Sequence, residues 1–149
     1  MRAHWAGATY TIVLDLDLQG AADATGLLTC LGLGQAVQWS AMLVNGRNGR
    51  FAYDSLAWAG SGTVPGREAA QKCRLVAMRL ATVRDGPRLI PVESAFGGYA
   101  VYRTEAVLGS SYMGAGEECE HMTLHYQMAG RKWVNVGWVG RFTGGAGMH

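Results

Sequence analysis

The sequence is poor in several features that would otherwise narrow its class. Its 149 residues include only 3 prolines and 3 cysteines, and 13 basic against 11 acidic side chains leave a formal net charge of +2. Because these charges are scattered, there is no basic stripe for a nucleic-acid backbone. No apolar run is long enough to cross a bilayer, and the first residues lack the form of a signal peptide. We therefore expect neither a nucleic-acid partner nor a membrane span.

The cysteines also exclude a common class of site. Cys30, Cys73 and Cys119 are widely spaced and form no C-x-x-C pair of the kind that holds zinc or performs thiol redox chemistry. Reduced thiols in a cytoplasmic protein are the interpretation that this pattern favours.

The residues that are abundant indicate one α/β domain over 1–149. Hydrophobic residues make up 49% of the chain, which is ample for a core. Apolar and β-branched runs predict strands, a period of three to four residues predicts helices, and the two kinds of segment interleave. The Gly-rich segment 142–149 is expected to be a flexible tail. The predicted strands are 9–14, 41–44, 51–58, 89–92, 99–102 and 132–139, and the predicted helices are 27–38, 67–83, 117–128 and a short one capped by Thr104.

Asp15 and Asp17 end the first predicted strand and form the most informative motif. We expect the apolar run before them to be buried, so that the strand delivers two carboxylates two residues apart. Hard oxygen ligands at this spacing suit Mg²⁺ or Mn²⁺, which also bind diphosphate oxygens. The alternative is that one aspartate caps a turn while the other is merely solvated.

Two further segments carry polar groups beside special backbone. Glu93 and Ser94 lead into Phe96, Gly97 and Gly98, where paired glycines allow a ligand close to the backbone; a tight turn is the alternative. Tyr53 and Asp54 combine an aromatic face with a carboxylate, a combination that suits sugars, and nearby Trp58 is expected in the core.

Glu120, His121 and His125 form the last candidate group. In a helix the two histidines lie one turn apart on one face, a spacing that suits a divalent metal, and Glu120 is placed to act as a general base. The order is not H-E-x-x-H, which makes a metalloprotease a weak interpretation. The alternative is an amphipathic helix with one core histidine and one exposed.

Taken in order, these pieces resemble nucleotide-sugar-dependent glycosyltransferases of the GT-A fold, and the resemblance spans nearly the whole chain. It implies a three-layer α/β fold, with a mixed sheet flanked by helices. The segments that carry it are Asp15-Leu16-Asp17, Val44-Asn45-Gly46, Tyr53-Asp54-Ser55-Leu56-Ala57, Glu93 to Arg103, Cys119-Glu120-His121 and Trp133-Val134-Asn135-Val136.

The resemblance also implies roles. Asp15 and Asp17 match the D-x-D pair that engages a divalent cation, and through it the donor diphosphate. Glu120 resembles the acid that deprotonates the acceptor hydroxyl in inverting members, although His121 stands where an Asp is often seen. His125 is implied only as an additional metal ligand. The residues implied in donor or acceptor binding are Asp15, Tyr53, Asp54, Glu93, Ser94, Phe96, Gly97, Gly98 and His121.

The front of the chain departs from this family. GT-A enzymes begin with a strand, helix and strand that bind the nucleotide, and only about a dozen residues precede Asp15. We therefore expect the catalytic and acceptor-side portion of such a domain, which binds metal but transfers sugar poorly alone. Its partners would be a nucleotide sugar, a glycan or other hydroxyl acceptor, and a second chain or a homo-oligomer that supplies the missing part.

Two other functions stay open at this point. A phosphatase of the haloacid dehalogenase type also begins with a strand into D-x-D, but its downstream lysine and acidic pair are not evident. Hydrolysis of p-nitrophenyl phosphate that is lost in Asp15→Asn would support it. The other alternative is a non-catalytic carbohydrate-binding or degenerate transferase module.

Overall fold

The computed structural model describes residues 7–15, 24–48, 51–52, 57–60, 89–112 and 119–141. The predicted helix 67–83, the predicted tail 142–149 and Cys73 lie outside these residues. The strands are β1 (Tyr10–Leu14), β2 (Ala41–Asn48), β3 (Phe51–Ala52), β4 (Ala59–Gly60), β5 (Leu89–Ser94), β6 (Tyr99–Arg103) and β7 (Lys132–Arg141), and the helices are α1 (Ala24–Leu33), α2 (Thr104–Leu108) and α3 (Glu120–Gln127).

All the described strands join one seven-stranded sheet, in the order β1-β6-β2-β7-β5-β4, with β3 paired to β2 outside this path. Both β6 and β3 pair directly with the long β2. β6 pairs with residues 41–43 of β2, and β3 pairs with residues 47–48 further along it. β2 and β7 run parallel, whereas the other pairs are antiparallel. The mixed sheet with helices confirms the general α/β class.

The central strands sort their side chains onto two faces. Along β2, Ala41 and Leu43 pack in one core with Leu124 of α3, whereas Met42 and Val44 pack in another with Cys30 of α1. This alternation follows from the two-residue period of a strand. Because both faces are apolar and covered, the central strands read as nearly continuous hydrophobic runs. Trp58 lies in the first core, as predicted.

β1 differs from the buried strand that the sequence suggested. It pairs only with β6 among the described strands, and Ile12 and Leu14 are each 49% exposed. The expectation that a buried apolar run leads into Asp15 is therefore wrong. The β-branched residues reflect strand propensity at the sheet edge and not burial.

β2 extends beyond the predicted strand 41–44 and runs through Asn45 and Gly46, although Asn-Gly is a dipeptide typical of a turn. They pair with Val139 and Gly140 of the parallel β7. A Cβ on Gly46 would lie under 3.0 Å from the backbone of Gly97, so the absence of a side chain allows two main chains to touch. Tertiary pairing therefore overrides the turn preference of this dipeptide.

Smaller differences concern element ends. The first helix lies at Ala24–Leu33 and not at 27–38, and 57–58 lie outside any strand. α3 covers Glu120–Gln127, and positions 117–118 of the predicted third helix lie outside the described residues. Thr104 is not the cap of α2, since Arg103 occupies that position and Thr104 Oγ1 lies 2.9 Å from Thr11 Oγ1. None of the helices within the described ranges has the length and apolar character needed to cross a membrane.

Gly46→Ala should destabilise the protein by about 2 kcal/mol, because the new methyl group has no space against Gly97. Gly32→Ala is the matched control: Gly32 lies in α1 with nothing within 4 Å of a built Cβ, and it should stabilise by about 0.5–1 kcal/mol. Urea unfolding measures both. Equal effects of the two substitutions would contradict the backbone contact.

Candidate functional site

The loop between β5 and β6 brings several predicted residues together. Phe96 lies in this loop, 2% exposed, and its ring stacks on His121 with centroids 3.7 Å apart and planes 12° from parallel. Through this contact the loop lies against the first turn of α3. The two motifs are therefore adjacent, although Phe96 and His121 are 25 positions apart in the sequence.

The same loop contacts the end of β1. The backbone N–H of Asp15 donates to the carbonyl of Gly98 over 2.8 Å, and Asp15 itself is half-buried. Gly98 has a φ of 90°, which favours glycine. Gly97 is needed for a different reason, since its Cα faces the backbone of Gly46 and Val44. The close approach that Gly97 permits is thus to its own chain.

His121 is held between three side chains, which we call the His121 cluster: Phe96, Tyr112 and Glu120. The Tyr112 hydroxyl lies 2.6 Å from His121 Nδ1 and 3.5 Å from Nε2, and its ring meets the imidazole edge-on. Glu120 Oε1 is 4.0 Å from His121 Nε2, and the Glu120 side chain is 57% exposed. The acid that starts α3 is therefore open to solvent, whereas its histidine neighbour is buried.

Burial keeps His121 neutral. Loss of solvation lowers its pKa from 6.5 to about 4, and the charge of Glu120 opposes this shift only in part. A neutral imidazole donates from one nitrogen and accepts at the other. The ring therefore needs one hydrogen-bond donor and one acceptor around it, and the cluster contains both a hydroxyl and a carboxylate.

His125 lies one turn further along α3 in a second group, the His125 network, with Ser94 and Tyr102. His125 Nδ1 is 2.9 Å from Ser94 Oγ and Nε2 is 2.9 Å from the Tyr102 hydroxyl. All three side chains are fully buried. Burial, reinforced by the charges of His121 and Lys132, lowers the His125 pKa to about 3, and burial raises the Tyr102 pKa well above 10.

The His125 network is a structural anchor. Ser94 and His125 have the separation of a nucleophile and its base, but neither exposes any surface to a substrate. Instead, the neutral imidazole joins β5, β6 and α3 through bonds that satisfy both ring nitrogens. The alternative from the sequence was an amphipathic helix with one core histidine and one exposed histidine. His125 is that core histidine, but His121 is buried as well.

Lys132 fixes the other end of α3. Its Nζ donates to the carbonyls of Met128 and Gly130 over 3.3 and 3.4 Å, which caps the chain just beyond the helix. Burial lowers the Lys132 pKa, and the charge of Glu93 on the neighbouring β5 partly restores it. Glu93 is half-buried, so this predicted donor-site residue also contributes to the surroundings of Lys132.

Few of the described residues are available as ligands for a divalent metal. Within the described ranges no three His, Cys, Asp or Glu side chains are grouped to hold a metal ion. Asp15 supplies one carboxylate of the D-x-D pair, and Asp17 lies outside the described residues. His125 has both nitrogens bonded to protein, which removes it from the ligand set that we consider below.

The structure thus links Asp15 to the loop after β5 through Gly98, and links that loop to His121 and its neighbour Glu120 through Phe96, whereas Ser94 and His125 belong to the buried His125 network. Tyr53 and Asp54 lie outside the described residues. Sequence reasoning missed Tyr102 and Tyr112. A tyrosine in a buried strand needs a hydrogen-bond partner, and this signal could have identified Tyr102; no pattern marks Tyr112.

No known protein family matches the sequence, and no curated protein or solved structure matches it.

Tyr102→Phe should destabilise the protein by about 1–3 kcal/mol, because it leaves His125 Nε2 buried without a partner. Tyr10→Phe is the matched control, since the Tyr10 ring keeps its contacts with Trp39 and Arg103 on the other face of the sheet. Urea unfolding at pH 7 measures both. A Tyr102→Phe variant as stable as the control would contradict the network.

Stability should fall as pH decreases below about 6.5. His121 and His125 stay neutral in the folded chain down to about pH 4 and 3, whereas the unfolded chain protonates them near pH 6.5. Each should contribute a slope of about 1.4 kcal/mol per pH unit, and the stabilisation is complete above pH 6.5. Urea unfolding measures the free energy of unfolding at each pH from 7 to 5. His121→Asn should remove about half of the pH dependence that the two histidines contribute together. An unchanged slope in this variant would argue against a buried neutral His121.

Proposed function

We propose that this chain takes part in metal-dependent transfer of a sugar from a nucleotide-diphosphate donor to an acceptor hydroxyl. The observation that supports it best is the stacking of Phe96 on His121, which lays the Gly97-Gly98 loop against the helix that begins at Glu120. Three of the segments that resemble GT-A glycosyltransferases thereby share one region, since Asp15 bonds to the same loop. The resemblance suggests the chemistry, and this convergence supports it.

Glu120 is the proposed general base. Its side chain is 57% exposed at the start of α3, where an acceptor hydroxyl can reach it. The adjacent His121 is neutral, because burial lowers its pKa to about 4, so it does not compete as a cation for the carboxylate. An accessible carboxylate within hydrogen-bonding reach of a hydroxyl is the geometry that general-base catalysis requires.

Asp15 and Asp17 are the proposed metal ligands. Carboxylate oxygens suit Mn²⁺ or Mg²⁺, and a bound cation would neutralise charge on the leaving diphosphate. The hydrogen bond from Asp15 N to Gly98 O holds Asp15 beside the loop. Asp15 thus contacts the last residue of the loop, whereas Phe96 lies nearer to the start of the loop. The donor would therefore lie across the loop, between Asp15 and Glu120.

The proposed step is a single displacement. The acceptor oxygen forms a bond to the sugar C1, the bond from C1 to the diphosphate oxygen breaks, and the acceptor proton passes to Glu120. The nucleoside diphosphate leaves with the electron pair of the broken bond. The proton and the leaving group thus balance without another reactant.

Glu120→Gln should lower the rate of sugar transfer by about 100-fold or more, because an amide cannot accept the acceptor proton. The assay incubates the chain with Mn²⁺, a panel of nucleotide sugars and hydroxyl acceptors, and measures the nucleoside diphosphate released. We expect slow turnover by the unaltered chain, which chelation of the metal abolishes.

Glu105→Gln is the matched control, because Glu105 is an exposed acid in the first turn of α2 and has the same chemistry. It should transfer sugar at the unaltered rate. Equal rates for the two variants would contradict the role of Glu120. Hydrolysis of p-nitrophenyl phosphate that Asp15→Asn abolishes would instead favour a phosphatase, and sugar binding without turnover would favour a non-catalytic module.

A further inference from the structure

The segment after α2 lies along α3 and is bonded to it at two places. The backbone N–H of Ser111 donates to Gln127 Oε1 over 2.9 Å, near the end of α3. One residue later, the Tyr112 hydroxyl lies 2.6 Å from Nδ1 of His121, near the start of the helix. Tyr112 is 40% exposed, so its ring forms part of the surface beside Glu120. These two bonds therefore connect the segment to both ends of α3.

The charges around His121 select one arrangement of protons. His121 is neutral, and its Nε2 is the nitrogen nearest to Glu120, at 4.0 Å from Oε1. If Nε2 carried the lone pair, that lone pair would face a carboxylate, which is repulsive. If Nε2 carries the proton, the N–H faces the carboxylate and Nδ1 accepts from the tyrosine hydroxyl.

Tyr112 supports the second arrangement. A phenol is a good hydrogen-bond donor, and Nδ1 is the nitrogen within its closer reach, since the hydroxyl oxygen is 2.6 Å from Nδ1 and 3.5 Å from Nε2. The stacked Phe96 ring and the edge-on Tyr112 ring restrict rotation of the imidazole. The two ring contacts thus fix the orientation of the imidazole, whereas the Tyr112 hydroxyl fixes its tautomer.

We propose that Tyr112 is a positioning residue: its hydroxyl holds His121 with the Nε2–H directed at Glu120, and this N–H orients the carboxylate toward the acceptor. Tyr112 acts through His121 and does not itself exchange a proton with substrate. This inference rests on the proposed function for its catalytic consequence, whereas the tautomer of His121 can be measured without any turnover.

The direct test is nitrogen NMR of the full chain labelled with ¹⁵N-histidine at pH 7. The sequence has four histidines, and His121→Asn identifies the signals of His121 by their loss. In the unaltered chain we expect the Nε2–H tautomer of His121. Tyr112→Phe should convert it to a mixture of tautomers, whereas Tyr10→Phe, the same hydroxyl deletion on the opposite face, should leave it unchanged.

The kinetic test uses the same two variants in the transfer assay. Tyr112→Phe should lower kcat about tenfold with little change in KM, the lower end of what loss of an orienting partner costs. Tyr10→Phe should match the unaltered chain. Circular dichroism and urea unfolding of both variants establish that they are folded.

The two proposals fail in different ways. An Nδ1–H tautomer in the unaltered chain, or a tautomer that Tyr112→Phe does not change, overturns the role of Tyr112. Equal kcat values for Tyr112→Phe and Tyr10→Phe also overturn it. Absence of transfer by the unaltered chain contradicts the proposed function, and the NMR result then decides whether Tyr112 sets the His121 tautomer.

Discussion

The contact between the backbones of Gly46 and Gly97 is the constraint on which the candidate site depends. Neither position has room for a Cβ, so β2 and the loop after β5 meet main chain to main chain. The loop is then in place for Gly98 to accept from Asp15 and for Phe96 to cover His121. The contact between Gly46 and Gly97 therefore positions the loop that bonds to Asp15 through Gly98 and stacks on His121 through Phe96.

The His125 network fixes the other component of the site, which is the helix. A neutral imidazole between Ser94 and Tyr102 ties α3 to β5 and β6, and Lys132 caps the chain beyond its last turn. Burying these polar groups is favourable only because each has a partner. These bonds therefore fix the position of α3 relative to the sheet. Glu120 can thus be exposed while the His125 network that anchors its helix is buried, which is the separation of roles expected in a rigid site.

The general fold was largely predictable because strand and helix patterns are local. Runs such as 99–102 and 132–139 predicted β6 and β7 closely, and the histidine spacing of 121 and 125 predicted one helical face. The failures have long-range causes. Asn45-Gly46 has the sequence of a turn, but pairing with β7 and contact with Gly97 keep it extended. An apolar run likewise does not reveal that β1 is the edge strand of the sheet formed by the described residues.

The composition of the candidate site was partly predictable, and its geometry was not. Ordered motifs suggested that Asp15, the Gly97-Gly98 loop and Glu120 belong together, and the structure shows two contacts among these segments, from Asp15 to Gly98 and from Phe96 to His121. Tyr112 could not be found from sequence, because it follows a short helix and belongs to no periodic pattern. Its importance arises only from the position of its hydroxyl near His121, a relation that depends on tertiary packing.

The central claim is that Asp15, the Gly97-Gly98 loop and the start of α3 form one metal and nucleoside-diphosphate site. Line broadening by the paramagnetic Mn²⁺ in NMR spectra of the chain with UDP tests this most directly. We expect selective broadening at Asp15, Gly98 and the His121 ring, with little effect on α1 across the sheet, and loss of this broadening in Asp15→Asn. Broadening centred on α1, or no selective broadening at any of the three, would contradict it.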